Sequence, residues 1–277
     1  MIGKRGQSKH WHDPLHIGWP LWVISGAAVF FLIVPVLLLV PMSFGSAEII
    51  EFPPTKFCLD QYRKFFSHPM WQSAVLVSLQ VSALTAVCST TIGLLASIAL
   101  VWGKFKGKGF VTGFILSPMI VPLIVLGLAY YVFLAKLGLI GTKLGLIIAY
   151  TPLTLPFSVL PISATLRGFD RSLEHAALNL GANRFQTFMK ITVPIIRPGV
   201  ITGALFAFMI AFDEVVIALF ICGSTAVTLP KKMWDVIRYE IEPMLPAIST
   251  LLLLLAVVFL ITTGLLQKRV ARRMGGR

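Results

Sequence analysis

The sequence contains little charge for its length. Only 13% of its 277 residues are Asp, Glu, Lys or Arg, whereas a soluble domain usually carries about 25%. Hydrophobic residues make up 57% of the chain and its mean hydropathy is +0.87. This combination excludes an ordinary soluble domain and predicts a protein that lies in a lipid bilayer.

Acidic residues are the scarcer of the two charge types. There are 11 Asp and Glu against 24 Lys and Arg, which gives a formal net charge of +13. In a soluble domain this excess would indicate nucleic-acid binding. Here the cations cluster at the ends of apolar runs, where they orient membrane spans. We therefore expect membrane lipid as a partner, and no nucleic acid.

Cysteines and catalytic motifs are also scarce. The three cysteines are widely spaced and odd in number, so neither a disulfide framework nor a metal site is indicated. Each Gly-Lys pair is followed by Arg5, Phe105 or Gly109, never by the Ser or Thr of a phosphate-binding loop. No nucleophile elbow or paired catalytic set is present. We expect no enzyme activity and no cofactor, and any nucleotide site would lie on another chain.

Long apolar runs are what the sequence does have. A spanning helix needs about 20 mostly apolar residues, because each adds 1.5 Å across a core of about 30 Å. Six runs qualify, and they predict a single all-α membrane domain over residues 1–277. The predicted spans are 19–41, 71–102, 110–134, 143–166, 199–221 and 246–266. A cleaved signal peptide is the alternative for the first run, although its apolar stretch exceeds the usual length of about 7–15 residues.

The positive charges predict the orientation of these spans. Most of the 24 Lys and Arg residues lie in the two tails, the loop after the second span and the loop after the fourth. Cytoplasmic loops carry the excess of Lys and Arg. The sequence therefore predicts both termini, and the loop 167–198, on the cytoplasmic side of a bacterial inner membrane.

The loop 167–198 reads RGFDRSLEHAALNLGANRFQTFMKITVPIIRP and begins with a predicted short helix. Ser172 can cap this helix, and Glu174 then lies in its first turn, where a negative charge suits the helix dipole. Ala176 and Ala177 keep one face narrow. Gly181 can adopt the left-handed conformation that ends a helix.

A second short helix is predicted directly after this turn. Phe185, Phe188 and Met189 recur at helical spacing and give it an apolar stripe. Pro194 and Pro198 are expected to break the backbone before the fifth span. The product is an exposed helical hairpin whose apolar surface requires a cover. That cover is either a protein partner or, if the hairpin lies flat, the lipid surface.

The hairpin resembles the loop of ABC importer permeases that reads Glu-Ala-Ala, three residues, Gly, nine residues, Ile, one residue, Leu-Pro. In this chain the pattern falls, with every spacing kept, on His175, Ala176, Ala177, Gly181, Ile191, Val193 and Pro194. His175 and Val193 depart from the usual Glu and Leu, and Glu174 is the acid one residue earlier. The resemblance implies a type I ABC importer permease fold in which this loop contains the coupling helix that docks on a partner ATPase.

Two further segments resemble polyamine (spermidine and putrescine) permeases, namely Ser43 to Phe66 and Ala211 to Leu255. The resemblance implies two ATP-binding subunits, a second homologous permease and an extracytoplasmic substrate-binding protein as partners. It also implies a polyamine or related small cation as the substrate. Related importers carry other small solutes, such as an amino-phosphonate, an opine or an iron complex, and these stay open as alternatives.

Two adjacent acids, Asp213 and Glu214, fall near the middle of the predicted fifth span. A carboxylate at the bilayer centre costs about 2.5–3.5 kcal/mol on insertion scales, so neither is expected to face lipid. One interpretation is that Asp213, with Phe206 nearby, contacts a cation in a translocation path that also includes Glu214 and, from the proline-rich fourth span, Tyr150. The alternative is that the acids bind a partner helix or cap broken backbone.

A transporter of another class would work alone, with Asp213 and Glu214 as proton or ion sites. Such secondary transporters are commonly built from inverted repeats, and no internal repeat is visible in the sequence. An intramembrane enzyme would need a nucleophile with a base, and the sequence offers no candidate pair.

Overall fold

The computed structural model describes residues 19–46, 51–239 and 242–274, with side chains described as far as residue 265. This part of the chain is helical, and its only β feature is an isolated bridge between Gly45 and Phe57. Five helices are long and apolar enough to cross a membrane, and a bent pair of helices makes a sixth candidate span. The predicted charged N-terminal tail lies outside the described residues.

The described helices, in chain order, have the following bounds. They are α1 Trp19–Met42, α2 Asp60–Ser67, α3 Pro69–Trp102, α4 Lys108–Leu116, α5 Leu123–Lys136, α6 Lys143–Arg167, α7 Ser172–Asn179, α8 Arg184–Thr187, α9 Val193–Asp213, α10 Val216–Ile221, α11 Leu229–Tyr239 and α12 Leu245–Met274. Short helical turns of other types join two of these pairs, a 3₁₀ turn at Ser117–Met119 and a π turn at Phe188–Thr192.

The centre of the fold is a close three-helix packing of α3, α6 and α9. Gly93 of α3 and Gly203 of α9 both approach Ser158 of α6 so closely that a Cβ on either glycine would crowd it. The Ser158 hydroxyl lies 3.0 Å from that of Ser89. Without a hydrophobic driving force between helices in lipid, small residues and buried hydroxyls of this kind supply the contact. This packing fixes the frame from which the functional segments project.

The third predicted span, 110–134, is wrong as a single helix. The structure divides it into Lys108–Met119 and Leu123–Lys136, which are bent by 100° to each other. Pro118 lies in the 3₁₀ turn, and Pro122 precedes α5 with an extended ψ of 130°. Because proline removes a backbone donor and clashes with the preceding turn, two of them four residues apart end one helix and start another.

The helix of the fifth predicted span, 199–221, begins well before residue 199 and is broken after Asp213, with α10 ending at Ile221. A single helical segment runs from Arg184 to Asp213 for 30 residues, so Pro194 and Pro198 do not break it. The π turn before Pro194, in which the Val193 N–H donates to the Phe188 carbonyl, supplies an extra residue that relieves the proline. The break comes instead after Asp213, so the acid pair lies at the end of this helix.

Candidate functional sites: a helical hairpin and an acid pair

The hairpin, residues 172–187, consists of α7, a tight turn and α8. Asp170 starts it, because its Oδ1 accepts a hydrogen bond of 2.9 Å from the Ser172 N–H. Ser172 itself is the first helical residue and makes no cap bond, so its predicted capping role is wrong. Hydrogen bonds from the Ser172 side chain and backbone lower the pKa of the Asp170 carboxyl. The cap is therefore charged at neutral pH.

The turn of the hairpin is a Schellman motif centred on Gly181. Gly181 has a φ of 88°, which confirms the predicted left-handed glycine. The Ala182 N–H donates to the Ala177 carbonyl at 3.1 Å, and the Gly181 N–H donates to the Leu178 carbonyl at 3.0 Å. These two bonds satisfy the last carbonyls of α7 and fix the direction of the chain that follows.

A capping box starts α8. The Gln186 N–H donates to the Asn183 side chain at 2.8 Å, and the Asn183 N–H donates to the Gln186 side chain at 3.2 Å. Sequence reasoning missed this device, although an Asn followed three residues later by Gln is its signature. The turn between the two short helices is therefore held on both sides by local hydrogen bonds.

Glu174 ties α7 to the helix beyond the hairpin. Its Oε1 accepts a hydrogen bond of 2.6 Å from the Thr192 hydroxyl, and its Oε2 lies 3.6 Å from Nε of Arg171. Thr192 belongs to the π turn, so this contact spans 18 residues. The Glu174 carboxylate is thus engaged within the chain, whereas the neighbouring His175 is exposed.

Several large apolar side chains of the hairpin and of the adjacent π turn are not covered by the rest of the described chain. Leu180 at the turn is 89% exposed and Phe185 of α8 is 73% exposed, with Met189 also exposed. Of the two alanines, Ala177 is buried and Ala176 faces outward. A rigid element with an uncovered apolar tip is typical of a surface that a partner covers.

The base of the hairpin packs on the ends of the spans. Phe169 lies 5.6 Å from the ring of Trp102, the last residue of α3, and the Arg171 guanidinium lies 5.1 Å from the same ring. Ile191 packs on a buried cluster that includes Ile196. Pro194 is exposed in the first turn of α9. The base of the hairpin is therefore in direct contact with the ends of α3 and α9.

Glu214 occupies the break between α9 and α10. It is only 8% exposed, and its Oε1 accepts a hydrogen bond of 2.9 Å from the Ile217 N–H. The Tyr150 hydroxyl of α6 donates to the Glu214 carbonyl at 3.1 Å. Backbone freed at membrane depth needs such partners. Of the alternatives for the acid pair, the geometry of Glu214 is that of a residue capping broken backbone.

Asp213 differs from Glu214 in its exposure. It is exposed, and it lines a cavity of about 390 Å³ between α9 and α12. The remaining walls of the cavity are apolar apart from Glu214, and they comprise Met209, Ile210, Phe212, Leu252, Leu255 and Ala256. Phe206 instead packs its ring against Phe259 at 5.9 Å, and the Tyr150 side chain is fully buried. The structure thus brings Glu214 and Tyr150 together and leaves Asp213 open.

The described residues contain no candidate metal-binding cluster. Over residues 19–46, 51–239 and 242–274, no group of three His, Cys, Asp or Glu side chains could hold an ion.

Comparison with known proteins places the chain in a family. The family described as "Binding-protein-dependent transport system inner membrane component" matches residues 89–276. A spermidine/putrescine transport system permease protein of Shigella flexneri is 30% identical over 89% of this chain and 93% of its own length. A putrescine transport system permease protein of Escherichia coli K12 is 33% identical over 80% and 82%. A trehalose transport system permease protein of Mycobacterium tuberculosis is 29% identical over 75% and 77%.

Solved structures of ABC importers share the fold. A chain of a bacterial alginate ABC transporter matches with a TM-score of 0.68 at 15% identity, covering 88% of this chain and 94% of that one. A chain of the methionine transporter MetNI matches with a TM-score of 0.54 at 19% identity, covering 76% and 98%. The expected ABC importer permease fold is thereby confirmed. The chain belongs to the family of binding-protein-dependent transport system inner membrane components.

Proposed function

We propose that this chain is one of two homologous permease subunits of an ATP-driven importer and forms half of its translocation path. Two ATP-binding subunits and an extracytoplasmic substrate-binding protein complete the assembly. The family match, the permease names of the relatives and the importer fold support this proposal. ATP hydrolysis takes place on the partner chains, because this sequence has no phosphate-binding loop.

The hairpin docks on an ATP-binding subunit, and one observation carries this step. Its backbone is fixed by the Asp170 cap, the Gly181 turn and the Glu174–Thr192 bond, while Leu180 and Phe185 remain uncovered. An element that is rigid without its partner transmits displacement and loses little entropy on docking. His175 and Ala176 are exposed on α7 and also belong to the docking surface.

The hairpin lies on the cytoplasmic side, where the ATPases are, and so do both termini. Five cations, Arg167, Arg171, Arg184, Lys190 and Arg197, fall in or beside it. The only acids between residues 167 and 198 are Asp170 and Glu174. Such an excess of Lys and Arg in a short loop is typical of the cytoplasmic face of an inner membrane.

A polyamine is the substrate class that the chemistry favours. The cavity at Asp213 offers an exposed carboxylate among mostly apolar walls, which suits an ammonium group on an alkyl chain. Glu214 lines the same cavity, and its Oε1 is engaged in capping α10. The two polyamine-named relatives at 30% and 33% identity point to the same class. The trehalose-named relative keeps other small solutes open.

The test is ATPase retention and uptake in the full complex. The substitution Phe185→Asp places a charge on the docking surface, and we expect at least about a tenfold loss of co-purified ATPase subunit and of ATP-driven putrescine uptake, since a lost apolar contact of about 1.4 kcal/mol is tenfold. Phe57→Asp is a matched control, because Phe57 is 71% exposed on a distant loop. Full retention of the ATPase and full uptake by Phe185→Asp would sink the proposal.

A further inference from the structure

The turn between α3 and α4, Gly103 to Lys108, presents two unpaired lysines. Lys104 and Lys106 are exposed, and neither belongs to an ion pair among the described residues. Lys108 closes the turn, because its Nζ donates to the Gly103 carbonyl at 3.3 Å. Gly107, with a φ of 84°, supplies the left-handed residue that the turn requires. The two free ammonium groups are therefore held on one short, closed loop.

Two acids in and beside the hairpin are already engaged within the chain. Asp170 accepts the Ser172 N–H, and Glu174 accepts the Thr192 hydroxyl and faces Arg171. Arg171 in turn lies over the ring of Trp102, one residue before the turn. Among the described residues, no carboxylate forms an ion pair with Lys104 or Lys106, so both ammonium groups are open to an external anion.

The helix that follows the turn is apolar and uncovered. No residue of α4 is buried, and Phe110 and Phe114 are 79% and 71% exposed. This segment is bent by 100° to α5, so the two helices do not form one straight span. An apolar helix exposed beside a lysine turn is the arrangement of segments that lie at the boundary of headgroups and acyl chains.

We infer that the Gly103–Lys108 turn is a binding site for the phosphate headgroup of an anionic phospholipid, with Phe110 and Phe114 against its acyl chains. Cations alone would suit any anion, and aromatic side chains alone would suit any lipid. Their adjacency selects a ligand that is anionic at one end and apolar at the other. Each lysine near a membrane surface contributes its own attraction for anionic lipid. The contributions of Lys104 and Lys106 therefore add.

The experiment measures lipid association with the full purified complex. The complex is reconstituted in phosphatidylcholine vesicles with a trace of spin-labelled phosphatidylglycerol, and the immobilised fraction is recorded. Lys104→Gln with Lys106→Gln should weaken association by about fivefold for each lysine, roughly thirtyfold for the pair. Lys56→Gln with Lys64→Gln removes the same charge from exposed lysines elsewhere and should change nothing.

Three results would overturn the inference. The first is unchanged association in the Lys104 and Lys106 double variant. The second is complete competition by soluble glycerophosphoglycerol, which would show a site for free phosphate. The third is loss of the ATPase subunit from the double variant in pure phosphatidylcholine, which would assign the turn to a protein contact. Because the main readout is lipid immobilisation, it fails or succeeds independently of transport.

Discussion

The hairpin and the break after α9 each contain two adjacent polar residues, of which one is hydrogen-bonded within the chain and the other is exposed. In the hairpin, Glu174 turns inward to Thr192 while His175 is exposed. At the break, Glu214 turns inward to the Ile217 N–H while Asp213 opens on a cavity. In each pair one side chain fixes the backbone and its neighbour is free to meet a partner or a substrate. The proposed function therefore assigns backbone capping and ligand contact to adjacent residues.

The largest expected effect is on stability, and it concerns Glu214, the buried acid at the break after α9. Glu214→Ala leaves the Ile217 N–H unpaired in a buried site, which should lower the free energy of unfolding by about 2 kcal/mol. Glu214→Gln retains an acceptor oxygen and should lose less. Thermal unfolding of the purified complex in detergent measures both. If Asp213→Asn destabilised the complex as much as Glu214→Ala, the two acids would not differ in their structural roles.

The outward member at the break should change transport rather than stability. Asp213→Asn removes the free charge of the cavity, and we expect kcat/KM for putrescine uptake to fall about tenfold, equivalent to roughly 1.4 kcal/mol. Asp213→Glu keeps the charge and should recover part of the rate. Unchanged uptake by Asp213→Asn at normal expression would remove this cavity from the substrate path.

In the hairpin the inward member is Glu174. Glu174→Ala removes the acceptor for the Thr192 hydroxyl, which should cost about 1 kcal/mol of local stability. Hydrogen exchange of the amides in residues 172–187 should become faster. His175→Ala serves as the comparison, since it should leave exchange unchanged and lower only retention of the ATPase subunit. The opposite pattern would assign the docking contact to Glu174.

The smallest expected effect concerns pH. Because hydrogen bonds from Ser172 lower the pKa of Asp170 in the folded hairpin, the charged cap stabilises the hairpin above the unfolded value of about 3.9. That stabilisation is lost as the pH falls through the lowered folded value. Amide protection in residues 172–187, measured relative to the intrinsic exchange rate at each pH, should fall over this range in the parent and not in Asp170→Asn. An equal loss of protection in both would show that the Asp170 cap does not stabilise the hairpin.

The sequence predicted the helical fold well because apolar length decides it. A run of about 20 apolar residues has few alternatives to spanning a bilayer, and five helices and a bent pair satisfy that condition. The errors lie where proline acts. Two prolines divided the third span, whereas a π turn relieved Pro194 in the fifth. Sequence pattern reveals the proline but not the turn that accommodates it.

The candidate sites were predictable where their cause is local. Gly181 was predicted because a left-handed helix end requires a residue like glycine, and the Asn183–Gln186 box was readable from its spacing. The bond between Glu174 and Thr192 was not, since its partners are 18 residues apart and meet only through folding. The distinct roles of Asp213 and Glu214 likewise depend on where α9 ends.

The uninterrupted helical segment from Arg184 to Asp213 has a mechanical consequence. Its 30 residues form a lever arm of about 45 Å, at a rise of 1.5 Å per residue. One end, α8, belongs to the hairpin and the other carries the Asp213 carboxylate of the cavity. A tilt of about 5° at the first end displaces the second by about 4 Å, more than the length of a hydrogen bond. If the hairpin docks on the ATP-binding subunit as proposed, moving that end would change the space beside Asp213 at the other.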